Sequence, residues 1–149
     1  MSFFEKLRYQ PLGPEDPDDY RPETEVAFLV DPITQDGRYV RSLSFIFEKC
    51  APGDAIPLHT HAIDEAIVVD EGALEATVGN DTKQVGTGGV VFIPAGVSHS
   101  LRNASGSVVR IHGVFPSDVI DIRYLERNPA PGTEGEPPQP PFVINLRDM

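Results

Sequence analysis

Cysteine is nearly absent from this chain: Cys50 is the only one in 149 residues. No intrachain disulfide can form, which agrees with a reducing compartment, and the lone thiol is expected to serve as a small buried hydrophobe. Positive charge is scarce as well. Against 23 Asp and Glu stand 12 Lys and Arg, a net charge of −11, and so acidic a surface repels a phosphate backbone. Nucleic acid is not an expected partner. No apolar run reaches the roughly 20 residues that span a bilayer, and the start Met1-Ser2-Phe3-Phe4-Glu5-Lys6 lacks the apolar core and cleavage site of a signal peptide. The expectation is a soluble, cytoplasmic protein with no membrane partner. No serine, cysteine or lysine stands in a recognisable nucleophile setting. Gly86-Thr87-Gly88-Gly89 leads into a strand pattern rather than a helix, so it does not cradle phosphate. Repeats at solenoid periods are missing too.

What is present reads as one domain over residues 1–149, in three zones of different texture. Residues 1 to about 25 hold Pro11, Pro14, Pro17 and Pro22 among acids, with Phe3, Phe4 and Leu7 at helical spacing. They predict a short helix leading into an extended arm. From about 38 to 117 a barrel core is expected. Short apolar runs broken by turns cover Val26–Val30, Tyr39–Phe47, Ala66–Val69, Leu74–Val78, Val90–Ile93 and Val108–Phe115, the pattern of an all-β sandwich or small barrel. Ala66-Ile67-Val68-Val69 and Val90-Val91-Phe92-Ile93 are apolar on both faces. One face must therefore meet the core and the other a second sheet or another subunit. Residues 126 to about 149 form a proline-rich arm in which Pro129, Pro131, Pro137, Pro138, Pro140 and Pro141 forbid a helix or central strand. Its apolar end, Phe142-Val143-Ile144-Asn145-Leu146, is expected to dock on its own or a neighbouring barrel.

Three side chains that bind divalent metals, His59, His61 and Glu65, lie between Gly53 and Gly72. His59 and His61 are two positions apart, which on a strand puts both imidazoles on one face. Glu65 needs a bend. Four residues of straight strand would carry it about 13 Å past His61, whereas ligands of one ion lie about 3 Å apart. The chain is therefore predicted to turn at Ala62-Ile63-Asp64, where Asp64 either competes for the carboxylate role or caps the turn. His99 follows a second set of turn residues, Gly88, Pro94 and Gly96, with Asn103 after it as a hydrogen-bonding turn residue. Imidazoles with a carboxylate and no thiolate suit Fe, Mn, Ni, Co, Cu or Zn. With about six coordination positions, about two stay open, and the net positive centre favours an anionic or oxygen-donor small molecule.

These two segments resemble the two signature motifs of the cupin superfamily: Gly53, His59, His61, Glu65 and Gly72 fill the first, and Gly88, Pro94, Gly96, His99 and Asn103 the second. The resemblance implies a small double-stranded β-helix or jelly-roll barrel of the single-domain type, commonly a homodimer. It also implies that His59, His61, Glu65 and His99 hold one divalent metal per subunit. It leaves the reaction open among dioxygenases, isomerases and epimerases, decarboxylases, lyases, storage proteins and ligand-binding modules. The expected function is a dioxygenase-like oxidoreductase acting on a chelating oxygen-donor substrate. The alternatives are a metal-dependent binding or sensor module and a metal-assisted isomerase or lyase.

Outside the motifs, Arg41, Leu43, Phe45 and Phe47 share one face of a strand. If that face is inward, Phe45 and Phe47 wall the pocket and Arg41 binds a substrate carboxylate; otherwise Arg41 faces solvent. His112, the only histidine beyond the motifs, is a candidate acid or base beside the metal, with an ordinary barrel-wall histidine as the alternative. Glu65 could also move a proton while ligating the metal.

Overall fold

The computed structural model describes residues 4–12, 16–29 and 40–149. Expectations resting on Phe3, Pro14, Val30 and Tyr39 lie outside them. Twelve strands follow in order among the described residues: β1 (Gln10–Leu12), β2 (Arg21–Leu29), β3 (Ser44–Cys50), β4 (Ala55–Thr60), β5 (Glu65–Glu71), β6 (Ala73–Val78), β7 (Asp81–Gly86), β8 (Val90–Ile93), β9 (His99–Arg102), β10 (Val109–Phe115), β11 (Val119–Tyr124) and β12 (Phe142–Asn145). They make two six-stranded sheets, ordered β1-β2-β3-β10-β5-β8 and β12-β11-β4-β9-β6-β7. Every strand pairing is antiparallel. This is the jelly-roll arrangement, and no described helix is long and apolar enough to cross a membrane.

Alternation along the strands sets the inner face. On β10, Val109, Ile111, Gly113 and Phe115 are buried; on β5, Glu65, Ile67 and Val69. The inward residues of β5, β6, β8, β9 and β10 make the main core, with Val69, Leu74, Ile93 and Val109 at 2% exposure or less. A second cluster of Phe115, Ile120 and Leu146 packs towards the other end. On the outer face of β8, Val90 and Phe92 are 59% and 60% exposed.

Several expectations are corrected. No helical turn forms at residues 4–9 and Phe4 is exposed, because one turn carrying so few apolar contacts cannot offset the entropy of helix nucleation. Instead Gln10–Leu12 pairs with β2. Strand β2 starts at Arg21, five residues before the apolar run that announced it, because a buried arginine and threonine begin it. The polar strand β7 was not legible: it is the sheet's edge, mostly exposed, tied to β6 across Gly79-Asn80, where Gly79 takes φ 58°. Strand β12 docks on β11 of its own chain, burying Leu146.

The terminal segments are fastened together. Arg127 ion-pairs with the fully buried Asp18 and donates to the carbonyls of Pro17, Thr133 and Glu136. Gln139 N–H donates to Asp18 Oδ2 at 2.8 Å. Asn103, also fully buried, donates to the carbonyls of Cys50 and Ser107 at 3.0 and 2.7 Å, as its turn role required.

Candidate metal centre

Strand β4 delivers His59, β5 opens with Glu65 and β9 opens with His99; His59 and His99 are register partners across the β4–β9 pair. The expected bend is present at Ala62-Ile63. Ala62 N–H is held by the Asp121 carboxylate at 2.8 Å, and Asp64 is exposed and accepts Ala95 N–H at 2.8 Å, so it pins the neighbouring turn rather than joining the cluster. That turn closes with Val97 N–H on Pro94 C=O and is joined to the bend by Gly96 N–H on His61 C=O at 2.7 Å; Gly96 has φ 80°. The two motif segments are thus braced against each other.

The bracing brings His59, His61, Glu65 and His99 together, with one donor atom of each within 4.8 Å of the others and all four side chains buried. Opposed ligands at about 2.1 Å from an ion lie about 4.2 Å apart, so an ion needs only small movements of the donors. The ring nitrogens are prepared for it. His59 Nδ1 meets Pro57 C=O at 2.7 Å, His99 Nδ1 meets Val97 C=O at 3.0 Å, and His61 Nδ1 meets Asp121 C=O. A carbonyl only accepts, so each Nδ1 carries the proton and each neutral ring presents its Nε2 lone pair. Yet the Nε2 atoms of His99 and His61 stand 3.0 and 3.3 Å from Glu65 Oε2. Lone pairs facing a carboxylate require positive charge among them, supplied by protons or by a cation.

The ionisation tendencies agree. Burial pushes the Glu65 carboxyl up, but hydrogen bonds from His61 and His99 outweigh it and bring it down to about 2. Burial, with the neighbouring His99 and His61, lowers His59 to about 3. Burial acts against the His61 cation too, but Glu65 wins and raises it. Glu65 is therefore a carboxylate and His59 a neutral imidazole, the forms a metal needs.

A cavity of about 540 Å³ opens on this cluster, with His59, His61 and Glu65 in its wall. The rest is mainly aliphatic and aromatic, including Val26, Phe28, Ile46, Ile111, Phe115 and Ile120. The expected inner wall is corrected here: Ile46 and Glu48 of β3 line the cavity, while Phe45 and Phe47 do not. They lie on the outer face against the His112 ring, with centroids 6.2 and 5.3 Å away. Both parities of β3 are apolar, and the inward set contains an acid, so hydrophobicity chose the wrong face. His112 lies with them, its Nδ1 2.7 Å from Asp70 Oδ2, away from the cluster. Arg41 is exposed and does not line the cavity.

Sequence reasoning missed three contributors. Gly113 sits where a Cβ would come within 3.0 Å of Glu65 Oε1 and 3.4 Å of the Phe115 ring. A glycine inside an apolar strand was the available signal. Asp121 fixes both the bend and His61. Tyr124, register partner of His59, donates its hydroxyl to Asp16 at 2.6 Å, and burial with nearby acids raises its pKa.

Residues 46–115 match the family profile described as Cupin domain. The sequence is 47% identical over 45 residues to an uncharacterised protein of Streptomyces coelicolor, covering 30% of this chain and 43% of that one. It is 32% identical over 96 residues to a Bacillus subtilis protein named quercetin 2,3-dioxygenase, covering 64% of this chain and 28% of that one. The chain thus spans less than half the length of either relative. Among solved structures, an RmlC-like cupin from Shewanella frigidimarina superposes with a TM-score of 0.59 at 18% identity, over 78% of this chain and 90% of that one. That likeness is one of fold.

Proposed function

Since residues 46–115 are a cupin domain, we propose that the chain is a dioxygenase-like oxidoreductase, in which His59, His61, Glu65 and His99 hold one divalent metal that a small oxygen-donor substrate chelates. The observation that carries this reading is the common orientation of the three rings: every Nδ1 is taken by a backbone carbonyl, leaving three Nε2 atoms converging on one carboxylate. The bound ion would act as a Lewis acid and a template. The chain's own residues do the rest: Phe115 packs edge-on to His61 with ring centroids 5.3 Å apart, the apolar wall excludes water, and Glu65 is the group placed to take a proton from the substrate. The named activity of the Bacillus subtilis relative supports oxygen chemistry.

A binding or sensor role is the second reading. It is favoured by the position of His112, which takes one of the two candidate proton carriers, His112 and Glu65, out of the cavity wall. The first test is metal analysis of the purified protein, followed by oxygen uptake with Fe(II) loaded anaerobically and a panel of diketones, catechols and flavonols. Uptake with one of them supports the dioxygenase. Binding without uptake assigns the sensor role, and turnover without uptake assigns an isomerase or lyase.

We further propose that the described residues form one domain that acts in the cytoplasm as a homodimer. The exposed Val90 and Phe92 of the outer face support a second copy, and light scattering after gel filtration tests it.

A further inference from the structure

Glu48 stands out on the cavity wall. It is 7% exposed, and its register partners are Val26 on one side and Ile111 on the other, so an acid is set into an aliphatic surface. Arg21 donates to its Oε1; among the described residues no donor reaches Oε2. The second oxygen is not sealed away with the first: Glu48 lines the cavity, and Oε2 keeps its lone pairs for whatever occupies that space. The other acids near this end are occupied: both Asp19 oxygens take hydrogen bonds from Arg21 at 2.7 and 2.8 Å, and Asp16 takes the Tyr124 hydroxyl. Arg21 is the only Arg or Lys among the described lining residues, and its charge is already met by two carboxylates.

Glu48 is also remote from the metal cluster. It pairs with Ile111, whereas the Glu65 carboxylate lies over Gly113, two residues further along β10, and comes from β5 on the opposite side of β10 from β3. Two residues of strand are roughly 7 Å. A ligand with a ring body can reach from one acid to the other.

We propose that Glu48 is a substrate-recognition residue whose Oε2 accepts a hydrogen bond from a hydroxyl on the far end of the ligand, so that the cavity selects an apolar-bodied chelator that is neutral and hydroxylated at that end. A ligand with a carboxylate or phosphate there meets an acid without a spare cation and is rejected. This rests on the proposed role of the cavity as the ligand site beside a metal.

The experiment compares three probes: 3-hydroxyflavone with a hydrogen, a hydroxyl or a carboxylate on its distal ring. Binding is measured by calorimetry on the Zn-loaded protein and on the metal-free protein. The hydroxyl probe is expected to bind about tenfold tighter than the parent and the carboxylate probe at least about tenfold weaker. The Glu48→Gln variant, checked for native circular dichroism, should narrow the gap between hydroxyl and carboxylate by about tenfold. Equal or tighter binding of the carboxylate probe, no gain from the hydroxyl, or no binding of any probe overturns the proposal, and none of these needs a variant that folds. Metal content of the same samples separates the two readings: absence of bound metal sinks the metal assignment, while the order of the probes on the metal-free protein reports on Glu48 alone.

Discussion

His99 Nε2 lies 3.0 Å from Glu65 Oε2, both side chains buried, with 34 positions of chain between them. The contact joins the two motif segments, and it makes the position of each proposed ligand depend on the other. Replacing His99 or Glu65 should therefore cost more than one coordination bond. The expected result of Glu65→Gln is a fall in metal affinity of at least about 100-fold, read by chelator competition, with the strand signal in circular dichroism retained. A variant that keeps full metal content would remove Glu65 from the ligand set.

Gly113 offers a test that touches no ligand. An alanine methyl there would crowd Glu65 Oε1 at 3.0 Å and the Phe115 ring at 3.4 Å. The carboxylate must move by a few tenths of an ångström, so Gly113→Ala should weaken metal binding by about tenfold, the scale of perturbing a ligand's support. Unchanged affinity would show that Glu65 does not bind from the position described.

Cys50 should be inert. Burial, aided by the Glu48 charge, pushes its pKa up from 9.0 to about 12. Thiolate is the reactive form. At pH 8 iodoacetamide should label the native protein at least about 100-fold more slowly than the guanidinium-unfolded chain. The sign for stability follows from the raised value: the contribution is complete below pH 9 and is lost as pH rises towards about 12. Rapid native labelling at pH 8 would contradict the burial.

The clasp between the terminal segments should be measurable by heat. Arg127 binds Asp18, which is fully buried, together with three carbonyls. Arg127→Ala leaves that carboxylate without its counter-charge, with only the Gln139 N–H on Oδ2, at a cost of about 3 kcal/mol. For a chain of this size the melting temperature should drop by roughly 6–12 °C. A drop under about 2 °C would mean that the clasp adds little to the fold.

The gathering of the four side chains was legible because three of them are concentrated: His59, His61 and Glu65 fall around one bend, and simple strand geometry forces the turn before Glu65. His99 could be read from its own turn residues. The cavity wall was not legible, for a physical reason. Periodicity separates apolar from polar faces, and β3 offers Phe45 and Phe47 on one side against Ile46 and Glu48 on the other. Glu48 is tolerated inside because Arg21, 27 positions earlier, pairs with it. A partnership that distant leaves no local pattern. The same holds for Asp121, whose carboxylate reaches Ala62 across 59 positions.

The order of strands also sets how much chain must close before the site is complete. Strand β10 lies between β3 and β5, and β4 between β11 and β9, so most ladders join segments far apart along the chain and must wait for large loops to close. His59, His61 and Glu65 can approach one another as soon as their bend forms. His99 is held beside them by the β9–β4 ladder, so of the four it is the one whose approach needs the largest loop of chain to close.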